Sequence, residues 1–434
     1  MIAIVDYNER HERLGRILSR SASFSPEVDD AVRTILDDVC ERGDAALAEY
    51  TQRFDGVRPG AWKVPAHCLE AAYREMDEEL RAIIREAAHN VRRFHERQRR
   101  NSWFTDEEDG VVLGQRIVPI ERVGLYVPGG KAFYPSSLLM NAIPAQVAGV
   151  PQIHVASPPG KSGLPHPLVL GTAHLLGLEH LYAVGGAQAI GALAYGTESI
   201  PKVDKIAGPG NAYVAAAKKQ VYGTVDIDAV AGPSEIVVLA DHTADPEFIA
   251  ADMLSQAEHD ERASAILVTP DRNLARTVRD HIERLVPTLP RRAILERSLT
   301  DYGACIVTDT LEEAVAMVNE LAPEHLEIVT EDPWDVMTRI RHAGAVFLGP
   351  YSSEPVGDYF AGPNHVLPTG GTARYASALS VDDFVRKQSV IAYTRGRLRD
   401  TGPRIARFAE AEDLQAHALA IQVRLDRMKS GDDR

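Results

Sequence analysis

"LYAVGGAQAIGALAYGTESIPKVDKIAGPGNAYVAAAKKQV" (Leu181 to Val221) contains one pattern twice. A short apolar run ends in glycine, and a longer run of small residues follows it. Gly185 and Gly186 close the first apolar run; Gly208, Pro209 and Gly210 close the second. A short apolar run bounded by glycine reads as a buried strand, and the alanine-rich run after it as a helix. Strand–glycine–helix units in succession imply a parallel sheet, because each helix carries the chain back to start the next strand in the same direction. The free N–H groups and positive dipole at such helix starts suit a phosphate or carboxylate. No G-x-G-x-x-G fingerprint, Walker loop or H-E-x-x-H pair accompanies them, and any strand-to-helix turn favours glycine.

The alternation extends both ways. Upstream, "VGLYVP" and "IHVASP" each precede a helical run, one opening at Pro135 and one spanning about His166 to Leu176. Downstream, "EIVVLAD", "SAILVTP", "ACIVTD", "HLEIVT" and "AVFLG" are separated by helical segments, including one from Pro246 to His259. These are too many strands for one compact sheet. The expected fold class is α/β, with two incomplete Rossmann-like doubly wound parallel-sheet domains plus small helical N- and C-terminal segments. The expected boundaries are a helical segment over 1–21, a discontinuous first α/β domain over 22–125 with 234–379, a second over 126–233, and a helical tail over 380–434. "AGPSE" (Ala231 to Glu235) marks the seam. The first hundred residues read as helix: Ser25 and Pro26 give a cap signal, and Val28, Val32, Ile35, Leu36 and Val39 recur at helical spacing. After Leu348 the alternation stops, and 29 residues from Gly349 carry five Gly and four Pro. Long irregular loops in compact enzymes tend to carry function.

Composition narrows the class. A chain of 434 residues can bury sizeable cores in two or more domains, and 45% hydrophobic with 25% charged residues matches a soluble enzyme. A formal charge of −15 leaves no basic footprint for nucleic acid and disfavours anionic membranes. The N-terminus turns charged after five residues, unlike a signal peptide, and no run approaches the roughly 18 apolar residues of a membrane span. Cys40, Cys68 and Cys305 are far apart and fit a reducing compartment as small hydrophobes. The expected location is the cytoplasm.

Four groups could carry chemistry. In "LSQAEHDERAS" (Leu254 to Ser264), Gln256 and His259 share one side of a helix, whereas Glu258 is turned away. A Gln oxygen and a His nitrogen both bind borderline divalent ions. Two ligands do not make a site, however, and alone the pair reads more readily as a hydrogen-bonded helix end. In "LAPEHLEIV", Glu324 and His325 stand where helix gives way to strand. A carboxylate beside an imidazole supplies two proton-transfer groups; a strand start with a surface acid and a half-buried His is an equal reading. Asp358, after Gly357, and His365 lie in the long loop, where turn chemistry accounts for both. In the tail, Glu412 and His417 point about 140° apart on a continuous helix. They converge only if the helix breaks near Glu412 or if they meet a site on a neighbouring subunit.

Taken together and in this order, "RVGLYVPGG", "VGGAQAIGALAYGTESIPKVDKIAGPGNAYV", "AGPSE", "SQAEHD", "APEHLEI", "VGDYFAGPNHVLPT" and "LQAH" resemble histidinol dehydrogenases, the NAD-dependent zinc enzymes that end histidine biosynthesis. The resemblance runs over nearly the whole chain. It implies zinc ligands at Gln256, His259, Asp358 and His417, with Glu258 a bystander, and a catalytic pair at Glu324 and His325. It implies substrate contacts at Ser234, Gln256, His259, His325, Asp358, Glu412 and His417, and NAD contacts at Tyr126, Gln188 and Asn211. It further implies an intertwined homodimer in which the tail of one chain completes the other's site.

The implied reaction is a four-electron oxidation of L-histidinol to L-histidine through a held aldehyde, using two NAD⁺ and one water. Zinc would act mainly as a template gripping the amine and imidazole, His325 as general base in each oxidation, and Glu324 as activator of water. The nearest alternative is a related NAD-dependent zinc dehydrogenase of another alcohol, such as a sulfonated diol; Ser234, Asp358, Glu412 and "GPNHVLPT" favour histidinol. A zinc hydrolase fits less well because Gln is an odd ligand for that task, and a structural zinc site because no Cys lies near these motifs.

Overall fold

The computed structural model describes residues 2–20, 25–58, 60–129 and 134–430. It divides into two units, residues 1–98 with 120–384, and residues 99–119 with 385–434.

The first unit is built on two parallel sheets. One has six strands in the spatial order Ala3–Asp6, Ala304–Val307, Ser264–Thr269, Glu235–Ala240, His325–Val329, Ala345–Leu348. The other has five: His180–Ala183, Gln152–Ser157, Arg122–Tyr126, Lys205–Ala207, Asp226–Ile227. Leaving aside Ala3–Asp6, each sheet runs 3-2-1-4-5 in its own chain order, the doubly wound arrangement whose direction of winding reverses beside the first strand. The central strands read as unbroken apolar runs because both faces are covered: all six residues of Glu235–Ala240 and of Ser264–Thr269 are buried. Each buried Val, Leu or Ile there contributes about 1.5–3 kcal/mol.

Helices follow from caps as well as periodicity. Ser25 accepts the N–H of Val28 ahead of the helix Pro26–Arg42, and Asp245 and Thr310 cap Pro246–Ala257 and Leu311–Leu321 in the same way. Residues 26–55, grouped from sequence with the later sheet, share their core with the five-stranded one: Val32, Leu36, Val39 and Leu47 pack with Ile190 and Leu193. Helical periodicity shows that a face is buried but not against which sheet.

The second unit pairs Val111–Pro119 antiparallel with Trp103–Thr105 and, over nine residues, with Val385–Tyr393. Two helices follow, Arg395–Ala411 and Gln415–Ser430, and between them Asp413 takes a left-handed φ of 58°. The helix therefore does break at Glu412, the condition set by the spacing of Glu412 and His417.

Two segments expected to be helical contain strands. Ala3–Asp6 pairs with Ala304–Val307, burying Ile2 against the helices of the six-stranded sheet; four residues are too few for periodicity to reveal them. Val385–Tyr393 falls within the span expected to form a helical tail and is a strand instead. Its charged residues Arg386 and Lys387 are exposed in a ladder whose partner lies over 260 residues upstream. No described helix is long and apolar enough to cross a membrane.

Candidate functional site

All but two of the residues singled out from sequence lie at two places in the first unit. The first is the amino-terminal edge of the six-stranded sheet. Ser234 immediately precedes the central strand, Glu324 and His325 open the strand beside it, and Gln256 and His259 stand at the end of the helix Pro246–Ala257. That helix starts after the central strand and runs back along the sheet, so its last turn returns to the strands' beginnings. The usual crevice of such sheets lies at the opposite, carboxyl edge.

His325 is 4% exposed. Its Nδ1 lies 3.2 Å from the Glu235 carbonyl oxygen, which can only accept, so Nδ1 carries the proton. Nε2 is then an acceptor, has no hydrogen-bond partner among the described residues, and lies 3.9 Å from Asp358 Oδ1. Burial pushes the imidazole's pKa down to about 3, so the ring is neutral at pH 7. Glu324 is also buried; its Oε2 accepts the N–H of Glu235 at 2.9 Å and lies 3.8 Å from His325 Nδ1. Burial, foremost, raises its pKa well above the ordinary carboxylate value. Glu235 is itself fixed by a 2.5 Å ion pair with buried Arg20.

His259 lies just past the helix rather than on it, with Nδ1 3.0 Å from the Ser255 carbonyl. That contact assigns the proton to Nδ1 and leaves the Nε2 lone pair for a ligand. Donor atoms of His259, Glu354 and Asp358 all lie within 4.8 Å of one another. Gln256 is wholly buried, and neither atom of its side-chain amide has a hydrogen-bond partner among the described residues. An orphaned buried amide costs roughly 1–3 kcal/mol, and a cation accepting its oxygen removes part of that cost. One imidazole nitrogen with amide and carboxylate oxygens is a donor set that suits a borderline divalent ion. The residues fit such a metal.

Asp358 lies on a short helical stretch, Glu354–Val356 continuing as a π turn over Gly357–Ala361, and burial raises its pKa to about 6. His365 belongs here too, with Nδ1 3.1 Å from the Asp358 carbonyl; turn chemistry explains the loop but not this contact. Sequence reasoning missed Glu354, although its four-residue spacing from Asp358 is a helical one. It also missed Glu327, two residues past His325, whose Oε1 accepts the N–H of Glu354.

The second place is the carboxyl edge of the five-stranded sheet, at the point where its winding reverses between Arg122–Tyr126 and Lys205–Ala207. The Tyr126 hydroxyl accepts the N–H of Gly186 at 3.1 Å. Gln188, in the first turn of the helix Gly186–Tyr195, is 1% exposed with both amide atoms unpartnered among the described residues. Asn211 caps the helix Ala212–Val221, its Oδ1 accepting from Tyr213 and Val214. Gly208 has φ 120°, and a Cβ there would sit 2.1 Å from the Tyr126 carbonyl oxygen. Two helix starts and an amide buried without a partner among the described residues, at a switch point, are groups that could hold an anionic cofactor such as a dinucleotide. The other two residues, Glu412 and His417, are exposed and belong to the second unit, on either side of its helix break.

Residues 18–425 match the family model described as histidinol dehydrogenase. The chain is 61% identical over 397 residues to a histidinol dehydrogenase of Halalkalibacterium halodurans, covering 92% of this chain and 94% of that one. It is 54% identical over 393 residues to one from Bacillus subtilis, covering 91% and 92%. A crystal structure of histidinol dehydrogenase from Elizabethkingia anophelis superposes with a TM-score of 0.92 at 40% identity, covering 99% of each chain.

Proposed function

The chain belongs to the histidinol dehydrogenase family, and from that membership we propose that it oxidises L-histidinol to L-histidine through L-histidinal, with two NAD⁺ and one zinc ion per subunit. It is an oxidoreductase of histidine biosynthesis. A dehydrogenase of another alcohol, such as a sulfonated diol, finds no support among these relatives. The observation that carries the mechanism is the neutral, buried His325, with its proton committed at Nδ1 and its Nε2 open toward Asp358.

When bound, zinc would supply a template for the substrate's amine and imidazole, and the nicotinamide would accept hydride in each oxidation. Gln256, His259 and Asp358 would hold the metal, with His417 supplied by a second copy of the chain. Tyr126, Gln188 and Asn211 would hold the dinucleotide. His325 Nε2 takes the hydroxyl proton of the alcohol in the first oxidation and that of the aldehyde hydrate in the second. The Glu324 carboxylate, made more basic by burial, takes the proton of the water that adds to the aldehyde. Ser234 and Glu412 contact the substrate in the same reading.

An intertwined homodimer fits the second unit, where Ile391, Phe408 and Leu419 are exposed apolar side chains on the strand and both helices. The test is NADH appearance with L-histidinol on metal-assayed protein, in parallel with a sulfonated diol. Two NADH per histidinol, lost with chelator and restored by zinc, is the expected result. NADH from the diol alone, or from neither alcohol, refutes the reading.

A further inference from the structure

The residues expected to hold the metal come from two separate pieces of chain: Gln256 and His259 end a helix, and Asp358 sits on a loop some hundred residues later. Something must fix the distance between them. Glu354 touches both pieces. It is 2% exposed, and its Oε2 accepts the Ser255 hydroxyl at 3.2 Å, next to Gln256 and one turn before His259. Glu354 and Asp358 are four apart on one helical stretch, which puts them on the same face. A carboxyl oxygen of each and a ring nitrogen of His259 all lie within 4.8 Å of one another. The backbone of Glu354 is pinned in turn, its N–H donating to Glu327 Oε1 at 2.8 Å from the strand that begins with His325.

We propose that Glu354 is a positioning residue of the metal centre, bridging Ser255 on the helix of Gln256 and His259 to the Asp358 carboxyl. The inference rests on the zinc reading above. In that reading four protein ligands and two substrate atoms already surround the ion, which leaves Glu354 the part of orienting ligands rather than adding one. Supporting groups of this kind typically change metal affinity about 10- to 100-fold when removed.

The test is Zn²⁺ affinity, measured by competition with a chromophoric chelator on the full-length chain, for wild type, Glu354→Ala, Glu354→Gln and Ser255→Ala, each checked for native circular dichroism. Glutamine keeps an oxygen for Ser255 and an N–H for Asp358. The expected result is a 10- to 100-fold loss in Glu354→Ala, affinity within about threefold of wild type in Glu354→Gln, and a several-fold loss in Ser255→Ala. Wild-type affinity in Glu354→Ala overturns the proposal. So does a Glu354→Gln protein as weak as the alanine variant, which would make Glu354 a ligand in its own right. Should Glu354→Ala not fold, the other two variants decide: unchanged affinity in Ser255→Ala overturns the bridge. A wild-type chain that binds no Zn²⁺ overturns the zinc reading and this inference with it, and that outcome is distinct from all the others.

Discussion

Replacing Lys218 with methionine is expected to cost much of the first unit's stability. Lys218 lies on the helix Ala212–Val221 and pairs with Asp228; their side chains are only 3% and 4% exposed. Lys218 Nζ also donates to the Gly208 carbonyl at 2.9 Å, while Asp228 accepts the N–H of Gly208 at 2.7 Å. The pair thus holds Gly208 by both of its backbone groups. Removing one partner of a buried ion pair leaves an uncompensated charge, which costs about 3–5 kcal/mol, a large share of the roughly 5–15 kcal/mol typical of a folded domain. Removing both charges in Lys218→Met/Asp228→Asn relieves the orphaned carboxylate, so the double variant should be more stable than the sum of the single losses predicts, by at least about 1 kcal/mol. Urea unfolding followed by circular dichroism on the four proteins gives the cycle, and NAD⁺ titration of the folded variants reports whether the Gly208 turn has moved. A Lys218→Met protein within about 1 kcal/mol of wild type, or a cycle additive to within about 0.5 kcal/mol, would refute the reasoning.

Gly208→Ala combines a φ of 120° with a Cβ 2.1 Å from a backbone oxygen; it should lose about 3 kcal/mol or more in urea unfolding, together with NAD⁺ affinity. His325→Asn should slow both oxidations by a factor on the order of 10²–10⁴, whereas Glu324→Gln should release the first NADH in a single-turnover trace and stall the second. Deleting the chain from about Pro403 removes Glu412 and His417 and should abolish turnover with the sheets' far-ultraviolet signal retained; normal turnover would refute the tail's role. His154 is 2% exposed, and burial pushes its pKa from 6.5 down to about 4. Its contribution to stability is therefore complete above pH 6.5 and is lost as pH falls toward 4, by roughly 3 kcal/mol. His154→Gln should flatten the melting temperature over that range.

The glycine-rich turns at Gly185 and Gly208 were legible because a strand, a glycine and a helix leave local marks in the chain. The five-stranded sheet could be anticipated from them, and the six-stranded one from the apolar runs that alternate with helical segments after Ser234. Ala3–Asp6 and Val385–Tyr393 could not, since each owes its strand to a partner hundreds of residues away. At the site, spacing alone left Gln256 and His259 as a plausible hydrogen-bonded helix end. The structure removes half of that reading: His259 does bond the helix end, through Ser255, but the Gln256 amide bonds nothing among the described residues. Glu354 went unnoticed because a carboxylate after two serines looks like a surface acid until its burial is seen.

Ala3–Asp6 waits longest for its partner. The strand is made first in its sheet, yet it docks against Ala304–Val307, the fourth of that sheet's strands to be synthesised. The five-stranded sheet, in contrast, draws every strand from one continuous segment ending at Ile227. On the ribosome that sheet can close roughly 4–16 s before Val307 emerges, at about 5–20 residues per second. Throughout that interval the opening residues remain an unpaired sticky edge. A fusion placed ahead of Ile2 therefore acts on a late docking event, and its effect should appear in the yield of folded chains rather than in the turnover of those that fold.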